Sequence, residues 1–427
     1  MSNSVNTEAQ TPSVSEDISR RSFIAQTGFG LSAAALAAHH AFAVDTAPKK
    51  VRIGVVGGGF GCSFYWHEHP DCEVVAVSDL REDRRKRLTE TFKCEKTYNS
   101  LEELVKAPDI DAVGIFTDGP LHVQHVVDSM SNGKHCISAV PAAYGTMEQA
   151  HTLADTVKKY GLTYMMAETG YYQQTTISAR KFFEEGKFGD LYYCEAEYQH
   201  PGLEVLYTEN GKRTWRYGMA PMHYPTHTSS QIIGVTGERL TRVTCMGWGD
   251  GDPILKDNPY NNPFWNGSAM FTTDRGHAFR MNVWWKGAHR GCERAQWIGD
   301  KMSLYMEESN GWPACVVRWG KQTEKDDGGF ERTLAEFEEY KAPEYWKTDM
   351  LPEPLRHSSG HQGSHTFLTH EFIDAITHDR TPAINVHEAL AYTVPGIIAH
   401  ESSLKGGEMM AIPSFDPEGY KWPGASA

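Results

Sequence analysis

From residue 51 to about residue 170 the chain alternates short apolar runs with longer amphipathic stretches. The runs at 51–56, 73–78, 111–116 and 135–139 are rich in Val, Ile and small residues and end at turn residues, the pattern of buried strands. Segments 81–92, 120–131 and 146–160 carry helical spacing, and 163–168 reads as a last parallel strand. Such alternation predicts a doubly wound parallel sheet over 51–170.

After residue 171 the pattern changes. A helix is predicted at 174–186, then a long alternating strand at 190–200, an aromatic loop over 201–222 and a helix at 225–234. Strand-like segments follow at 239–249, 268–273, 277–285, 294–299, 301–307 and 314–319. We read 171–410 as an α+β domain with a large, open, mostly antiparallel sheet. Within it, 321–357 reads as an insertion, helices close the domain at 364–378 and 385–404, and 411–427 is a C-terminal tail.

The head of the chain belongs to neither pattern. Arg20 and Arg21 precede a mildly apolar run that ends in Ala41-Phe42-Ala43, the layout of an export signal over 1–43, with 44–50 as a linker. The Ser-Arg-Arg-x-Phe-Ile setting resembles the twin-arginine type, which passes folded proteins to the periplasm or beyond. No run reaches the roughly 18 apolar residues of a membrane span, so no insertion is expected once the signal is cleaved. Lys plus Arg at 41 against Asp plus Glu at 55 gives −14, which argues against nucleic acid as a partner. The eight cysteines form no CxxC and read as small core residues.

Between the first two strands stands "VVGGGFGCSF". Gly57, Gly58, Gly59 and Gly61, with Phe60, make a turn that allows close backbone approach and is expected to feed a helix, presenting N–H groups to a pyrophosphate. Cys62 takes the third glycine position of G-x-G-x-x-G, where smallness matters. Asp79 closes the second strand, where a carboxylate accepts hydrogen bonds from ribose hydroxyls. This selects NAD, while Arg81 keeps NADP open.

"VRIGVVGGGFG", "VSDLREDR", "TDGPLHVQHVVDSMSNGKH", "EEGKFGDLYYCEAEY" and the closing "GSHTFLTHEFIDAITHDRTPAINVHEALAYT" stand in the order found in the Gfo/Idh/MocA superfamily, which the chain resembles along its mature length. The resemblance implies a Rossmann domain, with Thr117, His122, Pro141 and Glu168 at the cofactor's edge of the sheet. It also implies Glu-Lys-Pro after the strand ending near 138, where this chain has Ala139, Val140 and Pro141. The superfamily's Asp-x-x-x-His becomes His223 and His227. An i, i+4 histidine pair can bind zinc, but Pro225 puts His223 outside the helix, so no metal is assigned. His227 in a first helical turn is expected to stay neutral and act as acid–base residue, with Tyr224, Tyr198 and His223 as partners. "VPAA", "YPTH" and "MMAETGYY" are partially similar to the superfamily's NAD-dependent α-N-acetylgalactosaminidases.

Trp215 and Arg216, and Trp285, His289 and Arg290, are candidate sugar contacts, and the segment with His357, His361 and His365 reads as a solvated linker into the last helix, with a histidine-bearing loop near the site as the alternative. The expectation is an exported oxidoreductase acting on a sugar or glycoside by hydride transfer, with a bound, internally recycled NAD. One alternative is glycoside hydrolysis by transient oxidation, elimination and hydration. Another is a carbohydrate-binding protein without catalysis. The open sheet suggests a homo-oligomer.

Overall fold

The computed structural model describes residues 50–426, so the segment expected to be an export signal lies outside the described residues. A six-stranded parallel sheet forms first. Its strands are β1 (Val51–Val56), β2 (Cys72–Ser78), β3 (Thr97–Tyr98), β4 (Ala112–Ile115), β5 (His135–Ser138) and β6 (Tyr164–Met166), in the order β3-β2-β1-β4-β5-β6. The helices between them are α1 (Glu82–Phe92), α2 (Leu101–Leu104), α3 (His122–Ser131) and α4 (Met147–Tyr160). The central strands are buried on both faces, which is why they read as continuous apolar runs rather than alternating ones. This is the doubly wound order in which ligands bind beyond the carboxyl ends of the strands.

One expectation fails here. The glycine turn leads into two 3-10 turns, Phe60–Ser63 and Trp66–Glu68, not into an α-helix. Phe60, Phe64 and Trp66 cluster with Phe116 in the core, and Pro70 follows directly, so ring packing sets the path of this short connection.

The second layer begins with α5 (Gln174–Glu184) and β7 (Leu191–Gln199). A small hairpin, β8 (Thr208–Glu209) and β9 (Lys212–Arg213), lies in the aromatic loop before α6 (Thr226–Thr236). There follow β10 (Leu240–Trp248), α7 (Pro253–Lys256), β11 (Asn266–Thr273), β12 (Ala278–Trp284), β13 (Cys292–Gly299), β14 (Met302–Tyr305), β15 (Cys315–Lys325) and β16 (Glu331–Glu339). Last come α8 (Gly360–Thr377), α9 (Val386–Leu404) and β17 (Met410–Ala411). The nine-stranded sheet runs β16-β15-β14-β13-β7-β12-β11-β10-β17 and is antiparallel except for β7 beside β12.

The expected insertion at 321–357 is in part sheet, because β15 continues to Lys325 and β16 pairs back along it. Exposure on both faces removes the apolar alternation by which a strand is recognised. The residues after 410 are not a free tail: β17 pairs with β10, and Tyr420 hydrogen-bonds Glu388 at 3.0 Å. Among the described residues no helix is long and apolar enough to cross a membrane.

β7 carries two functions on its two faces. Cys194 and Ala196 point to the core, while Glu195 and Glu197 pair outward with Arg280 and Arg294. Helix α6 is buried all round and lies between this sheet and α5 and α9, which fixes the position of its first turn.

Candidate active site

The glycine turn is held from below by an acid. Asp79 accepts from the Gly58 N–H at 2.7 Å and from the Arg81 N–H at 2.9 Å. Gly57 has φ +103°, and a Cβ there would lie 2.2 Å from the Phe116 carbonyl oxygen, so no other residue fits. Nothing lies within 4 Å of the Cβ position of Gly59, and the Gly59 and Phe60 N–H groups have no hydrogen-bond partner among the described residues. An open cradle with free donors and a buried acid fits NAD. Arg81 is turned away, bonded to Asp83 at 2.6 Å and to Glu209, so its guanidinium is not free for the 2′-phosphate of NADP.

Thr117 and His122 hold the loop after β4. The neutral His122 ring lies between the Pro141 carbonyl at 2.9 Å and the Thr117 carbonyl at 3.1 Å and donates its single N–H to one of them, and Thr117 Oγ1 meets His125 at 2.8 Å. Ala139 and Val140 are buried beside them and offer no ionisable group.

Glu168 follows β6 at the carboxyl end of the parallel sheet, with Oε1 accepting from the Gly170 N–H at 2.7 Å. The same oxygen lies 2.9 Å from Nδ1 of His227 in the first turn of α6. A second carboxylate, Glu293 on β13, stands 3.7 Å from that nitrogen and is bonded by Gln173 Nε2 at 2.6 Å. Glu293 and Tyr198 are register partners on β13 and β7, and the Tyr198 ring sits 4.6 Å from the His227 ring.

Electrostatics reverse the expectation for His227. Burial and the helix end both disfavour imidazolium, the latter by about 2 kcal/mol at most. Two carboxylates within 4 Å oppose them with roughly 4 kcal/mol each at an effective dielectric near 20. The carboxylates win, and His227 is raised to about 10 against the desolvation of its site. Burial pushes Glu293 up to about 7 despite the His227 charge. Glu168 is desolvated too, but the His227 charge and hydrogen bond hold it below the usual carboxylate range. The cluster thus favours the carboxylate at Glu168 and the imidazolium at His227, while Glu293 is pushed toward its protonated form. The three ligand atoms lie within 4.8 Å of one another, a spacing a cation could bridge.

Tyr224 stacks on Tyr198 at 6.0 Å, and Trp285 meets both rings edge-on. Trp285 is fully buried, with its N–H on the Met219 carbonyl, so it forms the floor beneath the tyrosines and not a sugar platform. Arg216 lies over Trp215 at 4.2 Å and over Tyr224 at 5.7 Å, at the rim.

Three predicted residues lie elsewhere. His223 faces Tyr144 and His400 behind the site, and burial lowers it well below its ordinary value, so it is not a partner of His227. His289 packs on Trp284, and Arg290 is exposed and paired with Glu307 at 2.6 Å. Neither contacts the carboxylate–histidine cluster. Sequence reasoning missed Glu293, whose signal was its place opposite Tyr198 in the alternation of two paired strands. Glu168, assigned above to the cofactor, hydrogen-bonds His227.

Residues 51–168 match the profile of the Gfo/Idh/MocA oxidoreductase family, NAD-binding Rossmann fold. A glycosyl hydrolase family 109 protein of Streptomyces coelicolor is 24% identical, over 95% of this chain and 95% of that protein. A second such protein, from Akkermansia muciniphila, is 25% identical over 85% of this chain and 82% of its own. In fold the chain is similar to levoglucosan dehydrogenase in complex with NADH and L-sorbose, with a TM-score of 0.67 at 17% identity over 86% of this chain and 100% of that one. It is similar also to scyllo-inositol dehydrogenase from Lactobacillus casei with NAD(H) and scyllo-inositol bound, with a TM-score of 0.61 at 16% identity over 85% and 99%.

Proposed function

We propose, on the premise that the chain is an NAD-dependent enzyme of the Gfo/Idh/MocA superfamily, that it cleaves a glycoside through a cycle that leaves its cofactor unchanged. The observation that carries this reading is the buried Glu168–His227–Glu293 cluster beside Tyr198, in a chain with Val140 in place of the superfamily lysine. A proton donor set among carboxylates suits departure of an alcohol better than simple oxidation, which gives up a hydride and a hydroxyl proton and needs no proton donor. The two relatives of glycosyl hydrolase family 109 point the same way.

The residues divide the work. NAD, when bound, supplies the acceptor for a sugar hydride and returns it at the end. The cradle from Gly57 to Gly61 and Asp79 would hold it. His227 keeps its Nδ1 proton toward Glu168, and its Nε2, which has no protein partner among the described residues, gives the second proton of the imidazolium to the departing oxygen. Glu168 keeps the ring oriented and stabilises its charge, as a buried carboxylate does for a catalytic histidine elsewhere. Tyr198, Tyr224 and Arg216 line the place where the sugar would lie and exclude water from one side.

The export signal read at residues 1–43 fits the same proposal. A protein exported in its folded state would carry its NAD with it, and a trapped cofactor would have to be restored in place at every turnover.

The test is to denature the purified protein, identify the released nucleotide by mass spectrometry, and assay the native enzyme on aryl glycosides. Near-stoichiometric NAD with cleavage and no net NADH is the expected result. Steady accumulation of NADH from a sugar, or a protein that neither carries nor binds NAD, overturns the proposal.

A further inference from the structure

A protonated His227 leaves one need unmet. Oxidation of a sugar carbinol requires a proton acceptor, and the position of the superfamily lysine is Val140. Three consecutive residues at the start of α8 have left-handed backbone: His361 (φ 47°), Gln362 (φ 58°) and Gly363 (φ 89°). Such a run is unfavourable for the two that bear side chains, and the surroundings hold it. A Cβ on Gly363 would lie 2.4 Å from the Trp346 ring, and the Gln362 carbonyl accepts from Gln174 Nε2 at 3.1 Å.

The bend brings His361 against the glycine turn, its ring 5.8 Å from that of Phe60. Burial of its ring lowers His361, which also feels the charges of His227 and Glu168, while the residue as a whole is exposed. Its protonation is fixed by a chain of bonds that starts at the main chain. Ser63 offers only a carbonyl to His365 Nδ1 at 2.9 Å, so that nitrogen carries the proton. His365 is buried and stacked on Phe64, and desolvation lowers it to about 4, so the ring is neutral and Nε2 is an acceptor. His361 Nδ1 lies 2.8 Å from that acceptor and must donate to it. The remaining nitrogen of His361 therefore bears a lone pair.

We propose that His361, beside the glycine turn, is the proton acceptor of the oxidation half-cycle, held in its basic tautomer by His365 and the Ser63 carbonyl. An O–H bond of the bound sugar breaks and an N–H bond forms at His361 Nε2. The electron pair left on oxygen closes the carbonyl as that carbon is oxidised, with NAD as the oxidant. The imidazolium so formed keeps its Nδ1–H bond to His365 and returns the proton when the carbonyl is reduced. This rests on the redox cycle proposed above for its chemistry, but not for its tautomer.

Two measurements test it. Long-range proton–nitrogen NMR of histidine-labelled protein, with His361→Asn used for assignment, should find Nδ1–H and a bare Nε2 on both His361 and His365. An Nε2–H tautomer at His361 overturns the proposal whatever the enzyme's activity. Asparagine tolerates left-handed backbone and can still donate to His365, so His361→Asn removes only the basic nitrogen. Its kcat should fall at least about 100-fold, with the acid limb of kcat/KM lost and bound NAD and thermal midpoint unchanged. Wild-type turnover and an unaltered pH profile in the variant overturn the proposal. A wild type with the expected tautomers that cleaves no glycoside refutes the glycosidase reading alone.

Discussion

Glu168→Gln keeps the shape of the side chain beneath His227 and removes its charge. The interval from the ordinary 6.5 to about 10 at His227 corresponds to about 5 kcal/mol of stability, at about 1.4 kcal/mol for each tenfold. The sign follows from linkage: a raised histidine stabilises fully below the unfolded value of 6.5, and the contribution is lost as pH climbs through 10. At pH 7 about 4 kcal/mol remains. Glu168 is the nearer carboxylate and carries the hydrogen bond, so we assign it more than half, about 3 kcal/mol. Its own lowered carboxyl adds a contribution that disappears as acid is added. The urea midpoint of Glu168→Gln should therefore lie well below wild type between pH 5 and 7, with the gap closing toward pH 10. His227 in the variant should titrate near or below neutrality by NMR, and kcat should fall by about 10²–10⁴ as tautomer and charge are lost. Equal midpoints at pH 6, or a wild-type His227 that titrates near 6.5, would refute the electrostatic account.

Gly57→Ala places a methyl against the Phe116 carbonyl at φ +103°, and should cost about 2 kcal/mol or more and empty the cofactor site, read by thermal midpoint and released nucleotide. Glu209→Gln frees Arg81 of one of its two carboxylates and should raise affinity for NADP relative to NAD severalfold in a titration. His223→Asn, behind the site, should lower the thermal midpoint while kcat stays within about twofold, in contrast to His227→Ala, which should retain NAD and lose turnover.

Most of the parallel sheet was legible because its central strands are buried on both faces and three of its connections carry helices of 10 to 14 residues, so pattern and packing agree there. The connection after Gly61 was not, because a glycine turn before an aromatic cluster looks the same whether a helix or 3-10 turns follow. β16 escaped notice for the opposite reason, being exposed on both faces. At the site, His227, Tyr198 and Tyr224 lie together as read, but the charge of His227 was read from its own helix alone. Glu168 and Glu293, distant by 59 and 66 positions from it, decide that charge, and only the tertiary fold brings them within 4 Å. The role of His361 was likewise hidden, since a solvated linker and a strained, clamped bend share the same polar composition.

The central claim, elimination and hydration around a restored cofactor, is tested most directly by turnover in deuterium oxide. The account predicts that the released sugar carries one solvent deuterium bonded to the carbon beside the anomeric centre. A released sugar without carbon-bound deuterium, formed at the same rate, would contradict it.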